Sequence, residues 1–129
     1  MKVVPNDLGV CGVEQLMYAG TVNFGDENVA TGVKLCDVPA NTVITKAVAV
    51  VKTAFNAGTT NVLTVGTNDD VNDLLGSSDI TEGTKGAYSK LAFVECAAKT
   101  AVKAKFTQTG TDATAGAADV YLGVVRIPG

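Results

Sequence analysis

The sequence predicts an all-β fold, and three observations carry that prediction. Val, Thr and Gly supply 50 of the 129 residues. The first two favour a pleated, half-buried surface and the third favours turns. Apolar and polar residues alternate in short runs bounded by Gly, Pro, Asn and Asp, as half-buried strands require. No strand opens into an amphipathic helix of roughly ten residues, which argues against βα units around a parallel sheet. Seven or eight closely spaced strands and one brief helical turn suggest a β-sandwich or a small barrel. The length fits a single domain, large enough to hold a core without a disulfide or a metal.

Residues 1–19 read as an N-terminal arm or irregular lead-in, and 20–129 as the β-sandwich domain. Val3 and Val4 are cut short by Pro5, and Gly9, Gly12 and Gly20 punctuate the rest of the arm. Leu8, Val13, Leu16 and Met17 fit one face of a short helix, but the glycines disfavour it. Such a segment either docks on its own domain or reaches a neighbouring subunit. Residues 20–24 alternate as a strand and 25–28 turn. Residues 30–37 form the next strand, with Val33 and Leu35 on one face and Lys34 and Cys36 on the other. Pro39 ends it, having no N–H for a central ladder. The run 42–55 exceeds ordinary strand length, so a bend or bulge is expected near 47–49.

Residues 56–61 form a turn, and 62–65 a short strand closed by Gly66. Asn68 or Asp69 followed by apolar 71, 74 and 75 suggests one short helical turn near 70–75. Residues 77–86 are mostly loop. Ser89 to Cys96 is a strand with Leu91 and Phe93 on one face. Residues 97–99 are short enough for a hairpin. In the run 100–107, Val102, Ala104 and Phe106 alternate inward against Lys103, Lys105 and Thr107. A mobile loop spans 108–118, and 119–127 is the last strand.

Composition restricts function. At 47% hydrophobic and 18% charged, the chain is not disordered. There is no His, so Ser-His-Asp and Cys-His catalysis, His-ligated zinc and His pH switches are excluded within the chain. Nine Lys and one Arg against 13 acids give a net charge of −3, so nucleic acid is not expected as a partner. Cys11, Cys36 and Cys96 make no CxxC pair. They read as small buried hydrophobes, and an odd count argues for reduced thiols; one disulfide plus a free thiol stays open. The N-terminus lacks a signal-type apolar core of roughly 7–15 residues, and no window reaches about 18 apolar residues. The expectation is a soluble protein made in a cytoplasm, without a membrane partner.

No residue pattern specifies catalysis. Asp69, Asp70, Asp73, Asp79 and Glu82 crowd residues 69–82. Calcium could use such oxygens, but EF-hand spacing is absent. A glycosidase pair would want aromatic platforms that this chain, without Trp, hardly supplies. Capping and loop solvation are the plainer reading of these acids. No phosphate-binding glycine loop is present. Ser77 and Ser78 have no Lys within three residues, and Ser89 and Lys90 point to opposite faces of a strand. The expectation is therefore a non-enzyme with no catalytic, cofactor-binding or metal residues and no cofactor. Lys34, Lys46, Lys52, Lys99, Lys103 and Lys105 sit in or beside strands. They read as solvent-facing charges that discourage sheet pairing, or as a basic face for an acidic partner such as a protein shell.

One stretch carries a resemblance. Val38-Pro39-Ala40-Asn41-Thr42 leads into a Val-rich strand, then Thr53-Ala54-Phe55-Asn56, then Leu63-Thr64-Val65-Gly66 and an acidic Asp69-Asp70 to Leu74-Leu75 segment. Thr114-Ala115-Gly116 and a Val-rich last strand come after it. This resembles small virion structural proteins of tailed bacteriophages over about residues 37–127. The resemblance implies a jelly-roll-like, single-domain antiparallel β-sandwich that decorates or cements a capsid. The alternatives are a head-fibre or tail-associated structural role, or a carbohydrate-binding, adhesin-like sandwich using loops 56–61, 76–88 and 108–118. Implied partners are the major capsid protein or other virion proteins, with the protein itself a dimer or trimer located in the virion. No site residue is carried over.

Overall fold

The computed structural model describes residues 13–128. They form seven strands: β1 Glu14–Asn23, β2 Val33–Val38, β3 Thr42–Thr53, β4 Thr60–Gly66, β5 Gly86–Cys96, β6 Thr100–Thr109 and β7 Ala117–Arg126. One antiparallel sheet has the order β1-β7-β3-β5 and the other β2-β6-β4. Every connection therefore crosses from one sheet to the other. This is the jelly-roll sandwich, one strand short of eight, with β4 at the edge where the eighth would lie.

Alternation sends one face of each strand between the sheets. Ile44, Ala47, Ala49 and Val51 of β3 and Val120, Leu122 and Val124 of β7 are buried from one side. Leu63 and Val65 of β4 meet them from the other, with Val102, Ala104 and Phe106 of β6. The inward triplet expected in residues 100–107 is thus found. Phe106 packs on Phe55 with ring centroids 4.7 Å apart. Gly116 has φ 149°, and a Cβ there would overlap the Phe55 ring. Only glycine fits that position.

Several expectations are corrected. Residues 14–19, expected in the lead-in, belong to β1, while residues 1–12 lie outside the described residues. Gly20 sits at a bulge inside the strand, between the Tyr18 and Gly20 pairings, not at its start. β2 begins at Val33, because residues 26–32 turn around Asn28, whose φ is 64°. The β2–β6 register shifts between Lys34 and Cys36, and Leu35 and Cys36 both pack against the core. The bulges of β3 lie between Ile44 and Lys46 and between Val51 and Thr53, flanking the expected site. Residues 97–99 join strands of opposite sheets, so they make no hairpin.

The helical turn near 70–75 is absent. Val71 donates to the Asn68 carbonyl (3.1 Å) but takes φ 54°, which stops helix propagation. Leu74 and Leu75 N–H groups both donate to the Val65 carbonyl (3.1 and 2.9 Å), and Val65 N–H returns to Leu75 (3.0 Å). The next outward N–H of β4, on Leu63, donates to the Glu82 carboxylate at 2.9 Å. Segment 67–85 thereby closes the edge of β4 with one bridge and one side chain. An open edge would otherwise present unpaired backbone.

Candidate interaction surfaces

The two outer faces of the sandwich are built by the same alternation that builds the core, and they differ in chemistry. On the four-stranded sheet, register aligns Leu16, Gly123, Lys46 and Leu91 in one row and Tyr18, Tyr121, Val48 and Ser89 in the next. Phe93 lies two residues beyond Leu91 on the same face. Leu16 is 59% exposed, Tyr18 55%, Leu91 70% and Phe93 76%. With Val13, which leads into β1, these are the large exposed hydrophobics among the described residues. Leu16, Tyr18, Leu91 and Phe93 lie on one face, on its two edge strands, with Tyr121 and Val48 on the strands between them.

Polar groups on this face are tied to one another. Lys46 Nζ lies 3.8 Å from Glu14, which also accepts the Thr45 hydroxyl. Lys52 pairs with Asp119 at 3.4 Å. Asp119 accepts Thr21 Oγ1 (2.6 Å), which bonds the Tyr18 hydroxyl. The Tyr18 and Tyr121 rings stack at 5.5 Å, tilted by 59°. A Cβ on Gly123 would lie 2.7 Å from Lys46 Cγ, so the lysine stem crosses β7 there. Even the charged residues present apolar stems to the surface.

On the three-stranded sheet, Lys34 stands opposite Lys103, Lys103 opposite Gly66, and Lys105 opposite Thr64. Lys34 bonds Asp37 at 2.7 Å and holds that carboxyl below its ordinary value, with Lys99 adding to the effect. Lys99, Lys103 and Lys105 have no ion-pair partner among the described residues. Of the six lysines read as a candidate basic face, Lys34, Lys103 and Lys105 lie on this sheet and Lys99 just before β6, whereas Lys46 and Lys52 belong to β3 of the other sheet. Cys36 lies half-buried beside it, its thiol pushed up by burial and then by Asp37, which disfavours the reactive thiolate. Cys96 is buried and unpaired, and Cys11 lies outside the described residues.

The acidic segment is used for structure. Asp73 accepts the Thr67 N–H at 2.6 Å, Asp79 accepts the Gly76 N–H at 2.6 Å and pairs with Lys90 at 3.3 Å, and Glu82 serves Leu63. Asp69 and Asp70 are exposed. Among the described residues, no three His, Cys, Asp or Glu side chains gather to hold a metal. Of the loops expected to line a sugar site, 108–118 is trimmed to 110–116 because β6 runs to Thr109 and β7 begins at Ala117, while 76–88 falls largely within the longer link 67–85 between β4 and β5. Asn56 bonds the backbone of Thr114 and Ala115 (2.8 and 3.0 Å) and Gly58 bonds Thr111 (2.7 Å), fastening loop 54–59 to 110–116. At the other end, a pocket of about 200 Å³ is lined by Gln15, Met17, Val38, Pro39, Thr42, Val124 and Arg126. It is smaller than most ligand sites, at roughly 300–1,000 Å³.

Sequence reading places Leu91 and Phe93 together but misses their exposure. The available signal is Leu91-Ala92-Phe93-Val94, apolar on both faces of one strand.

No family model matches this chain, and no curated protein matches it. Its fold is similar to a chain in the capsid asymmetric unit of cyanophage Pam1, at 20% identity and a TM-score of 0.69, over 99% of this chain and 94% of that one. It is also similar to a chain in the acid-stable capsid structure of the Helicobacter pylori bacteriophage KHP30, at 17% identity and a TM-score of 0.59, over 93% and 97%. At these identities the likeness is one of fold.

Proposed function

We propose that this chain is a non-enzymatic structural protein of a phage virion, and more narrowly a module that decorates or cements the capsid shell. The observation that supports this most is a sandwich shared over nearly its whole length with chains from two phage capsid structures. The two outer faces suit the task, because such a module acts by burying surface. A stable contact needs roughly 800 Å² per partner, and binding that favours the assembled shell stabilises it by mass action. The major capsid protein is the proposed partner, with the lysine face of β2 and β6 meeting an acidic region of it.

Mass spectrometry of density-purified particles tests this, with copy number measured against the shell protein. Copies in the hundreds are expected for decoration. Tens or fewer would move the protein to a vertex, head fibre or tail, and absence from the particle would overturn the virion reading.

A further inference from the structure

We infer that the outer face of the β1-β7-β3-β5 sheet is a self-association surface, occupied by the same face of a second copy about a two-fold axis parallel to the strands. The inference concerns the free protein and does not depend on placing it in a virion.

Three observations carry it. The first is the concentration of exposed apolar side chains: Leu16 and Tyr18 on one edge strand, Leu91 and Phe93 on the other. A two-fold along the strands carries β1 over the partner's β5 and β7 over the partner's β3. Leu16 and Leu91 share one cross-sheet row, so each meets the other's counterpart, as an isologous interface requires. Gly123, with no side chain, then faces the Lys46 stem of the second copy. Phe93 lands near the copy's β1 edge.

The second is area. Four strands about 4.8 Å apart and ten residues at about 3.4 Å rise give a face of roughly 19 by 34 Å. That is about 650 Å² before side-chain relief is added, close to the roughly 800 Å² per partner of a stable interface. The third is charge. The chain carries −3 overall, which opposes self-association. On this face, however, Glu14 is matched by Lys46 and Asp119 by Lys52. Of the remaining carboxylates, Glu95 meets the second copy's Glu14 only at the rim, where Lys46 already offsets Glu14.

Sedimentation equilibrium of the full chain at micromolar to submillimolar concentration tests the proposal. Twice the chain mass is expected. Leu91→Lys with Phe93→Lys should weaken the dimer about a hundredfold or more, as removal of central apolar anchors does. Both side chains are mainly in solvent, so melting of the monomer should be unchanged. Lys103→Glu with Lys105→Glu, on the opposite face, should leave the dimer intact. For geometry, a Leu16→Cys chain mixed with a Leu91→Cys chain, both carrying Cys11→Ser, should be joined by a short bismaleimide. Neither variant alone should be joined to the same extent. A monomer at every concentration, a trimer, a dimer indifferent to the β5 substitutions, or preferential Leu16→Cys self-linking would each overturn the proposal.

Discussion

The outer faces of the two sheets are made from the same backbone geometry, yet one is apolar and internally neutralised while the other is lysine-rich and mostly unpaired. The core hardly distinguishes them, since both sheets send alternating Val, Ala and Leu inward. The difference lies wholly in the other half of each alternation. Contacts through the four-stranded face should depend on buried area, and contacts through the three-stranded face on charge and salt. A sandwich with two such faces can hold two unlike partners at once.

The largest effect is expected from a change that removes both faces together. Gly116→Ala places a Cβ against the Phe55 ring at a backbone conformation unsuited to alanine. Strain and overpacking together should cost roughly 3 kcal/mol, or about a 10 °C lower Tm. Calorimetry would read it. A Tm within about 2–3 °C of the parent, on the same scale, would mean that the Phe55–Phe106 contact does not hold the sheets together.

A smaller loss should fall on the three-stranded side alone. Glu82→Ala leaves the buried Leu63 N–H without an acceptor, at about 1–3 kcal/mol. Hydrogen exchange should rise at Leu63 and along segment 67–85, and less at β1 and β7. Glu82→Gln keeps an acceptor oxygen and should recover most of the protection. Equal loosening of both sheets by Glu82→Ala would contradict a local role for this carboxylate.

Thr64 offers a change of opposite sign. Its hydroxyl is buried on the three-stranded sheet without a hydrogen-bond partner. Thr64→Val keeps the shape and removes the orphan, so a gain of about 1 kcal/mol is expected in denaturant titration. Destabilisation would indicate that the hydroxyl has a partner in solution.

These positions also show what the sequence can reveal. Alternation is a local property, so Val102, Ala104 and Phe106 can be read inward directly, and the strand count comes from turn residues. Sheet membership is not local. Whether Cys96 and Thr100 belong to one sheet or two depends on long-range pairing, and a three-residue link permits both. The turn at 67–75 misleads because an Asn cap and apolar 71, 74 and 75 fit a helix. The preference of Leu74 and Leu75 for the open edge of β4 then decides the conformation. The apolar patch escapes sequence reading because outward Leu16 and Leu91 look like core residues until their partners across the sheet are known.

The smallest effect separates the two faces by pH. Lys34 holds the Asp37 carboxyl below its ordinary value. The depressed value means that the stability this pair contributes is fully present above the unfolded carboxylate pKa of about 3.9. It fades as pH falls through the lower folded value. Because the pair is solvent-exposed, Asp37→Asn should leave Tm nearly unchanged at neutral pH. The same substitution removes the acid from beside Lys34 and Lys99, so binding to an acidic surface should tighten at low salt. That gain should vanish as salt shortens the screening length below about 8 Å. Self-association through Leu91 and Phe93 is opposed only by net charge, so neither change should weaken it. Measuring both equilibria across one salt series in the Asp37→Asn protein would therefore show whether the faces act independently. A parallel salt dependence of the two would mean that they belong to a single charged interface.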